Sequence, residues 1–172
     1  MRKLILPLAA ALALTAASRI TANTRAEDAA PQAMAQTVEI GALKITGAWA
    51  KAMLPGQPVG GGYLTVANNG AEADRLVSVI STASPDVQIH EMKMEGDVMK
   101  MRQLADGLEI PAGGVVQLKP SGFHLMFMAV TEPFREGGMV KVTLTFEKAG
   151  EVEVAMPVAA ADAKGPEETH GG

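Results

Sequence analysis

The chain has 172 residues, of which 48% are hydrophobic, and this is enough for one packed core but short for two domains. Its net charge is −4, and residues 1–26 hold four basic residues and no acid, so removal of that segment gives −8. An acidic surface repels phosphate backbones, and no stretch combines Lys or Arg with aromatic residues, so nucleic acid is excluded as an expected partner.

The first residues have the pattern of a secretory signal peptide. Two basic residues follow Met1, and an apolar stretch rich in Leu and Ala extends over residues 4–17. This stretch is shorter than the ~20 apolar residues that a bilayer-spanning helix needs, and Pro7 interrupts it. We therefore predict a signal peptide over residues 1–26, cleavage within residues 17–26, and export without a stable membrane anchor.

The sequence contains no cysteine. Small exported domains commonly depend on disulfides, so this domain is predicted to be stabilised by its core alone. Thiolate metal sites, including blue-copper centres and zinc ribbons, are excluded for the same reason. The absence of an acylatable Cys also predicts a soluble protein rather than a lipoprotein.

Short β-type segments follow one another from Thr37 onward. Residues 27–36 are rich in Ala and Gln without periodicity, and we interpret them as a flexible lead-in. The later segments are separated by Gly, Pro, Asp, Asn or Ser at intervals of roughly 8–12 residues, which is typical of an antiparallel sandwich or barrel. They cover residues 38–45, 60–66, 76–80, 87–94, 98–104, 115–118 and 123–130.

The clearest predicted hairpin comes last. Apolar and polar residues alternate from Val140 to Phe146, and again from Val152 to Met156 after a turn at Ala149-Gly150. No segment before Ala159 has a helical period, so the predicted fold is all-β, with a single domain over residues 37–158. Residues 159–172, which are rich in Ala and end in Gly, are predicted to be a disordered tail.

Methionine and histidine are concentrated in one part of the chain. Leaving out Met1, six of the ten Met and two of the three His lie between His90 and Met128. Core packing is the ordinary explanation for Met, which fills irregular gaps. Residues two apart share one face of a strand, however, so each His leads a same-face Met series. These series are His90, Met92 and Met94, and His124, Met126 and Met128.

A two-residue turn at Gly96-Asp97 would bring more thioethers to the first series. It would set Met94 opposite Met99 and Met92 opposite Met101, with His90 diagonal to Met101. A charged opposite side is typical of a solvated face, so we expect the Met side to face the core or a site near its edge. That charged side would carry Glu91, Lys93, Lys100 and Arg102.

The donor types favour copper(I). Thioethers bind copper(I) well and bind zinc, calcium or magnesium poorly, whereas imidazole binds copper in either oxidation state. Sites of Met and His also withstand an oxidising compartment better than thiolate sites. The residues alone leave open a metal-free binding module, in which the two imidazoles would lie more than ~10 Å apart. The common enzyme motifs H-E-x-x-H, G-x-S-x-G and a Gly-rich phosphate loop are absent, so we do not expect an enzyme.

Several segments closely resemble the periplasmic copper chaperones of the PCuAC family, over roughly Ile45 to Val158. The resemblance implies a single cupredoxin-like Greek-key β-sandwich in the periplasm, binding one copper(I). Its implied ligands are a His, a Met and a closing His-x-Met, which correspond to His90, Met101, His124 and Met126. The segments that carry it are His90-Glu91-Met92-Lys93-Met94, Met99-Lys100-Met101-Arg102, Gly107 to Gly114, Leu118-Lys119-Pro120 and His124-Leu125-Met126.

The resemblance also implies partners and leaves alternatives. Family members supply copper to the dinuclear copper centre of cytochrome c oxidase subunit II, often beside a thiol-bearing Sco-type protein. The 22 residues between Met101 and His124 are one more than is usual in the family, so Met92 or Met99 remains an alternative ligand. The tail holds only His170, which gives little support to a second copper site there. We expect a monomer, and copper buffering stays an alternative to delivery because both need the same site.

Overall fold

The computed structural model describes residues 36–166, and every regular element in that range is a β-strand. The predicted signal peptide, the lead-in up to residue 35 and residues 167–172 of the predicted tail lie outside the described residues. Within the described range no helix is long and apolar enough to cross a membrane. The strands are β1 (Val38–Ile40), β2 (Leu43–Lys51), β3 (Gly60–Asn68), β4 (Asp74–Ser81), β5 (Ser84–Glu95), β6 (Val98–Gln103), β7 (Leu108–Ile110), β8 (Val115–Leu118), β9 (Phe123–Met128), β10 (Met139–Phe146) and β11 (Gly150–Ala159).

The strands form one hydrogen-bonded sheet with a non-sequential order. That order is β6-β5-β9-β8-β3-β2-β11-β10-β4-β7, with β1 paired to β2. An additional pairing of β4 with β5 joins distant parts of the order, so the sheet folds over on one core. β2 with β11 and β8 with β9 are parallel, and the other pairs are antiparallel. The predicted all-β, cupredoxin-like sandwich is confirmed.

Alternating side chains of the β10–β11 hairpin supply much of the core. Val142 and Leu144 are 1% and 0% exposed, while Lys141 on the same strand is exposed. Val142 lies opposite Val154 on β11, which is also fully buried. Burial of one such side chain contributes about 1.5–3 kcal/mol, so this hairpin is a main source of stability. The alternation predicted from the sequence is confirmed.

A buried carboxylate attaches β4 to the turn between β10 and β11. Asp74 is 7% exposed and accepts backbone N–H groups of Arg75, Lys148 and Ala149 at 2.7, 2.9 and 3.0 Å. Burial works to raise the pKa of Asp74, but the three backbone donors and the Lys148 charge lower it below its ordinary value. The carboxylate therefore remains ionised and holds this end of the sheet together.

The segment Gly107 to Gly114, which is not among the predicted β segments, contains an additional strand. β7 pairs with β4, with Leu108 opposite Leu76. Gly107 has φ +82°, and a Cβ at this position would collide with the carbonyl oxygen of Leu76, so only glycine permits the approach. A three-residue strand is too short to show an alternating pattern, and for this reason its sequence did not predict it.

Ordered structure extends past the predicted domain limit at Val158. β11 includes Ala159, which is 7% exposed and pairs with β2. It belongs to a small cluster with Trp49 and Tyr63, whose ring centroids are 4.5 Å apart, and Ala163 packs against this cluster. The predicted tail was therefore wrong for its first residues. Small Ala side chains lack a pattern of their own, and here they are ordered by the aromatic rings they cover.

Candidate metal centre

The two histidines of the predicted site lie side by side on neighbouring strands. β5 and β9 are antiparallel, with His90 directly opposite His124. Their ring centroids are 5.8 Å apart, and the ring planes are tilted by 45°. Metal–nitrogen bonds to imidazole are about 2.0–2.1 Å long, so two rings at this separation can share one ion. The separation is well below the ~10 Å that would have ruled out a shared ion.

A tight turn before β9 orients His124. Nδ1 of His124 is 3.0 Å from the carbonyl oxygen of Gly122. A carbonyl oxygen can only accept, so Nδ1 carries the proton and Nε2 retains the lone pair that a metal requires. The turn is closed by a bond from the Gly122 N–H to the Lys119 carbonyl at 3.1 Å, and Ser121 within it has φ +66°. His124 itself is only 7% exposed.

A short chain of hydrogen bonds orients His90. The side-chain nitrogen of Gln88 donates to the carboxylate of Asp86 at 2.5 Å, which turns the amide oxygen of Gln88 toward His90. That oxygen is 2.9 Å from Nε2 of His90, so Nε2 donates and Nδ1 retains a lone pair. Nδ1 is buried and has no hydrogen-bond partner among the described residues. Buried polar atoms are nearly always paired, and a metal ion is a partner that this lone pair fits.

The surroundings keep His90 neutral. Burial and then the neighbouring His124 lower the pKa of His90 below the ordinary 6.5, while the Asp86 carboxylate acts in the opposite direction. Imidazole coordinates a metal only in its neutral form. The lowered pKa therefore makes His90 available as a ligand at neutral pH without first losing a proton.

Thioethers lie on the same face of the sheet as the imidazoles. Met126 follows His124 by two residues on β9, and it is half-buried and lies opposite Gln88. On the other side of β5, Met101 of β6 lies opposite Met92. Met101 is 50% exposed, so its side chain is accessible from solvent.

The predicted register of the β5–β6 hairpin is confirmed. Gly96 and Asp97 form a two-residue turn in which Gly96 has φ +65°, and Met94 lies opposite Met99 in the second pair from the turn. Because His90 lies opposite Gln103, Met101 is diagonal to His90. A hairpin with this register brings one imidazole and four thioethers to one side of two strands.

Of the two predicted orientations of that side, facing the core is wrong, and facing a site near the edge of the core stays a prediction. The core-facing residues of β5 and β9 are Ile89, Leu125 and Phe127, which are at most 5% exposed. Since neighbours in a strand point to opposite faces, the His and Met side chains lie on the outer face of the sheet. The charged residues lie on the same side of the hairpin as Ile89. They occur only beyond Ile89, where the hairpin extends past the core.

The site contains few ionisable donors. Within residues 36–166 no group of three or more His, Cys, Asp or Glu side chains converges in a way that could hold a metal ion. The Met side chains that share a face with the imidazole pair offer neutral thioethers. A set of neutral, soft donors favours a soft monovalent ion such as copper(I) over zinc, calcium or magnesium.

Two groups that orient the histidines were missed from the sequence. Gln88 precedes His90 by two residues, so the same-face rule that selected the methionines could have found it. The Gly122 carbonyl had no comparable signal, because a backbone acceptor depends on the conformation of the turn that contains it.

The chain belongs to the family described as "Putative lipoprotein LpqE-like", which matches residues 43–158. A relative from Leifsonia xyli subsp. xyli, named "Putative lipoprotein Lxx21020", is 32% identical over 116 residues. The match covers 67% of this chain and 69% of the relative. The matched residues extend from the start of β2 almost to the end of β11, so the shared unit includes the strands that carry the candidate site.

Solved PCuAC domains have the same fold. The copper-bound PCuAC domain from PmoF2 is 29% identical with a TM-score of 0.62, covering 73% of this chain and 98% of that domain. The apo PmoF2 PCuAC domain is 29% identical with a TM-score of 0.64, covering 76% and 99%. The solution structure of CuI-DR1885 from Deinococcus radiodurans is 25% identical with a TM-score of 0.56, covering 73% and 81%. The resemblance to PCuAC proteins is confirmed.

Proposed function

We propose that the protein is a periplasmic copper chaperone that binds one copper(I) through His90, Met101, His124 and Met126. The observation that carries the proposal is the pair of oriented imidazoles, with ring centroids 5.8 Å apart. One of them has a buried Nδ1 without a hydrogen-bond partner among the described residues. The other donates through Nδ1 to a carbonyl oxygen, which leaves Nε2 free to coordinate.

Similar proteins support the choice of metal. The names of two solved neighbours state that they contain copper, one of them as copper(I). Two imidazoles and two thioethers form a neutral donor set that suits copper(I). The positive charge of a monovalent ion is then the only charge that the site has to accommodate.

The accessibility of Met101 favours transfer over storage. Its side chain is 50% exposed on the hairpin, whereas His124 is buried. An acceptor could therefore replace the exposed thioether first and the buried imidazole last. We propose that the acceptor is the dinuclear copper centre of cytochrome c oxidase subunit II or a Sco-type protein, and that the chaperone acts as a monomer without catalysing a reaction.

Export supports the proposed location. The family and the Leifsonia relative are both described as lipoproteins, which are exported proteins. The present sequence contains no Cys for lipid attachment, so we propose a periplasmic protein delivered by the N-terminal signal segment.

A copper(I) titration against a competing chelator, repeated with copper(II), tests the proposal. We expect one copper(I) per protein, with sulfur and nitrogen neighbours in the X-ray absorption spectrum. Met101→Leu combined with Met126→Leu should weaken copper(I) binding at least about tenfold, because two of the soft donors are lost. Met139→Leu is the matched control, since Met139 is 49% exposed at the start of β10. Unchanged affinity in the double variant would contradict the proposed ligands.

Delivery and buffering are separated by a transfer experiment. The copper(I)-loaded protein is mixed with the soluble dinuclear copper domain of an oxidase, and the metal content of both proteins is measured after separation. Faster transfer than from a copper(I)–chelator complex of equal affinity supports delivery. Equal rates would indicate that the protein only buffers free copper.

A further inference from the structure

Four methionines cover the outer face of the β5–β6 hairpin beyond the histidine pair. Met94 lies opposite Met99 in the second pair from the turn, and Met92 lies opposite Met101 two residues closer to His90. Met94 and Met99 are 54% and 46% exposed, and no residue of β6 is buried. Core packing therefore does not explain why these positions are Met.

Ion pairs occupy the other face of the same hairpin. Nζ of Lys100 contacts the Glu95 carboxylate at 2.5 Å, and the Arg102 guanidinium contacts the Glu91 carboxylate at 2.7 Å. These pairs cross between β5 and β6 and favour the observed register. The methionine face lacks charged side chains, so its thioethers are the available donors there.

The hydrogen-bond pattern brings each methionine pair close together. Leu104 N–H donates to the Ile89 carbonyl at 2.8 Å, whereas Met92 N–H points away from β6 and donates to the Gly122 carbonyl at 3.1 Å. Hydrogen-bonded and non-hydrogen-bonded residue pairs alternate along two antiparallel strands. Both methionine pairs are therefore of the non-hydrogen-bonded type. In such pairs the Cα atoms are about 4.5 Å apart and the side chains are closest.

We propose that Met94 and Met99 form a second copper(I) site, made of thioethers alone, at the tip of this hairpin. The Met92–Met101 pair then connects the tip to the imidazoles. Same-face positions along a strand are about 6.6–6.8 Å apart, so an ion can advance by one pair at a time while flexible Met side chains follow it. At each step one neutral donor replaces another, copper stays monovalent, and no proton or electron is transferred.

This inference rests on the proposed function, because it assigns the tip as the entry and exit point of the histidine site. The tip site offers copper(I) two thioethers and no imidazole, which is fewer strong donors than the histidine site has. The tip site should therefore bind copper(I) more weakly than the histidine site. A weak, exposed site is suited to capture and release, whereas the less exposed imidazoles retain the ion.

The test uses the mature chain with ¹³C-labelled methionine methyl groups and anaerobic addition of copper(I) alone, followed by NMR. We expect the imidazole and Met126 signals to shift with the first equivalent. The Met94 and Met99 methyl signals should shift between the first and the second equivalent. Static Met94 and Met99 signals up to three equivalents, with responsive imidazoles, would overturn the tip site and leave the proposed function intact. Static imidazole signals would instead overturn the proposed function.

A kinetic measurement tests the route through the tip. Met94→Leu combined with Met99→Leu should keep the affinity for the first copper(I) within about threefold and slow loading from a chelator complex several-fold. Met139→Leu, which changes an exposed Met on a different strand, should load at the rate of the unchanged protein. Because both tip residues are exposed, the double variant is expected to fold, and circular dichroism checks this. Loading at the unchanged rate would overturn the route.

Discussion

The β10–β11 hairpin buries its apolar side chains, whereas the tip of the β5–β6 hairpin exposes its methionines. In the first, apolar residues such as Leu144 are fully buried, and polar residues alternate with them toward solvent. In the second, the methionines at the tip are half-exposed, and a polar nitrogen of His90 is buried without a hydrogen-bond partner among the described residues. The comparison indicates that the first hairpin stabilises the sandwich, while the second presents soft donors that the fold itself does not use.

The largest expected effect tests the stabilising hairpin. Leu144→Ala should lower the free energy of unfolding by about 2–5 kcal/mol, because it leaves a cavity at a position that is 0% exposed. Met99→Ala, at a half-exposed position of the other hairpin, should change it by no more than about 0.5 kcal/mol. Urea unfolding measures both. Similar losses in the two variants would contradict the division of roles between the hairpins.

The buried carboxylate at the base of β10–β11 provides the next test. Asp74→Asn should cost about 1–3 kcal/mol at pH 7, because an amide group cannot accept all of the backbone N–H bonds that the carboxylate accepts. The lowered pKa of Asp74 means that its contribution is present above the ordinary value of 3.8 and is lost as pH falls through the lowered pKa. The difference between the two proteins, measured by urea unfolding, should therefore shrink in acid. A difference that grows in acid would contradict this assignment.

A smaller effect is expected where Gln88 orients the site. Gln88→Ala removes the acceptor of the His90 Nε2–H bond and should weaken copper(I) binding about 10–100-fold without changing stability. Gln103→Ala is the matched control, since Gln103 lies opposite His90 on β6 and is exposed. Chelator competition gives both affinities. Equal affinities for the two variants would show that the amide does not orient the imidazole.

The smallest effect concerns pH. Burial and the neighbouring His124 lower the pKa of His90 below 6.5, so copper(I) affinity should change little between pH 8 and pH 7. Below the lowered pKa, protons compete with copper, and affinity should fall by up to about tenfold per pH unit for each protonated ligand. Chelator competition across this range measures the profile. A loss that begins above pH 6.5 would contradict a neutral, preformed His90.

Much of the fold could be predicted because local pattern and tertiary environment agree. The alternation in β10 and β11 matched the core, and the Gly96-Asp97 turn set the hairpin register. β7 and the end of β11 were missed, since three residues or a run of Ala carry no periodicity. Of the two expected orientations of the methionine face, the one toward the core was wrong, because the charged residues on the opposite side look like a solvated face when the hairpin is considered alone.

The sequence by itself determined the donor types: a chain without Cys, with two His each leading a same-face Met series, offers imidazole and thioether ligands and no thiolate. Only the tertiary structure decided that β5 pairs with β9 so that His90 meets His124, and that a carbonyl and an amide orient the two rings. The physical reason is that side-chain alternation is a local property, whereas strand pairing depends on the core that all strands share.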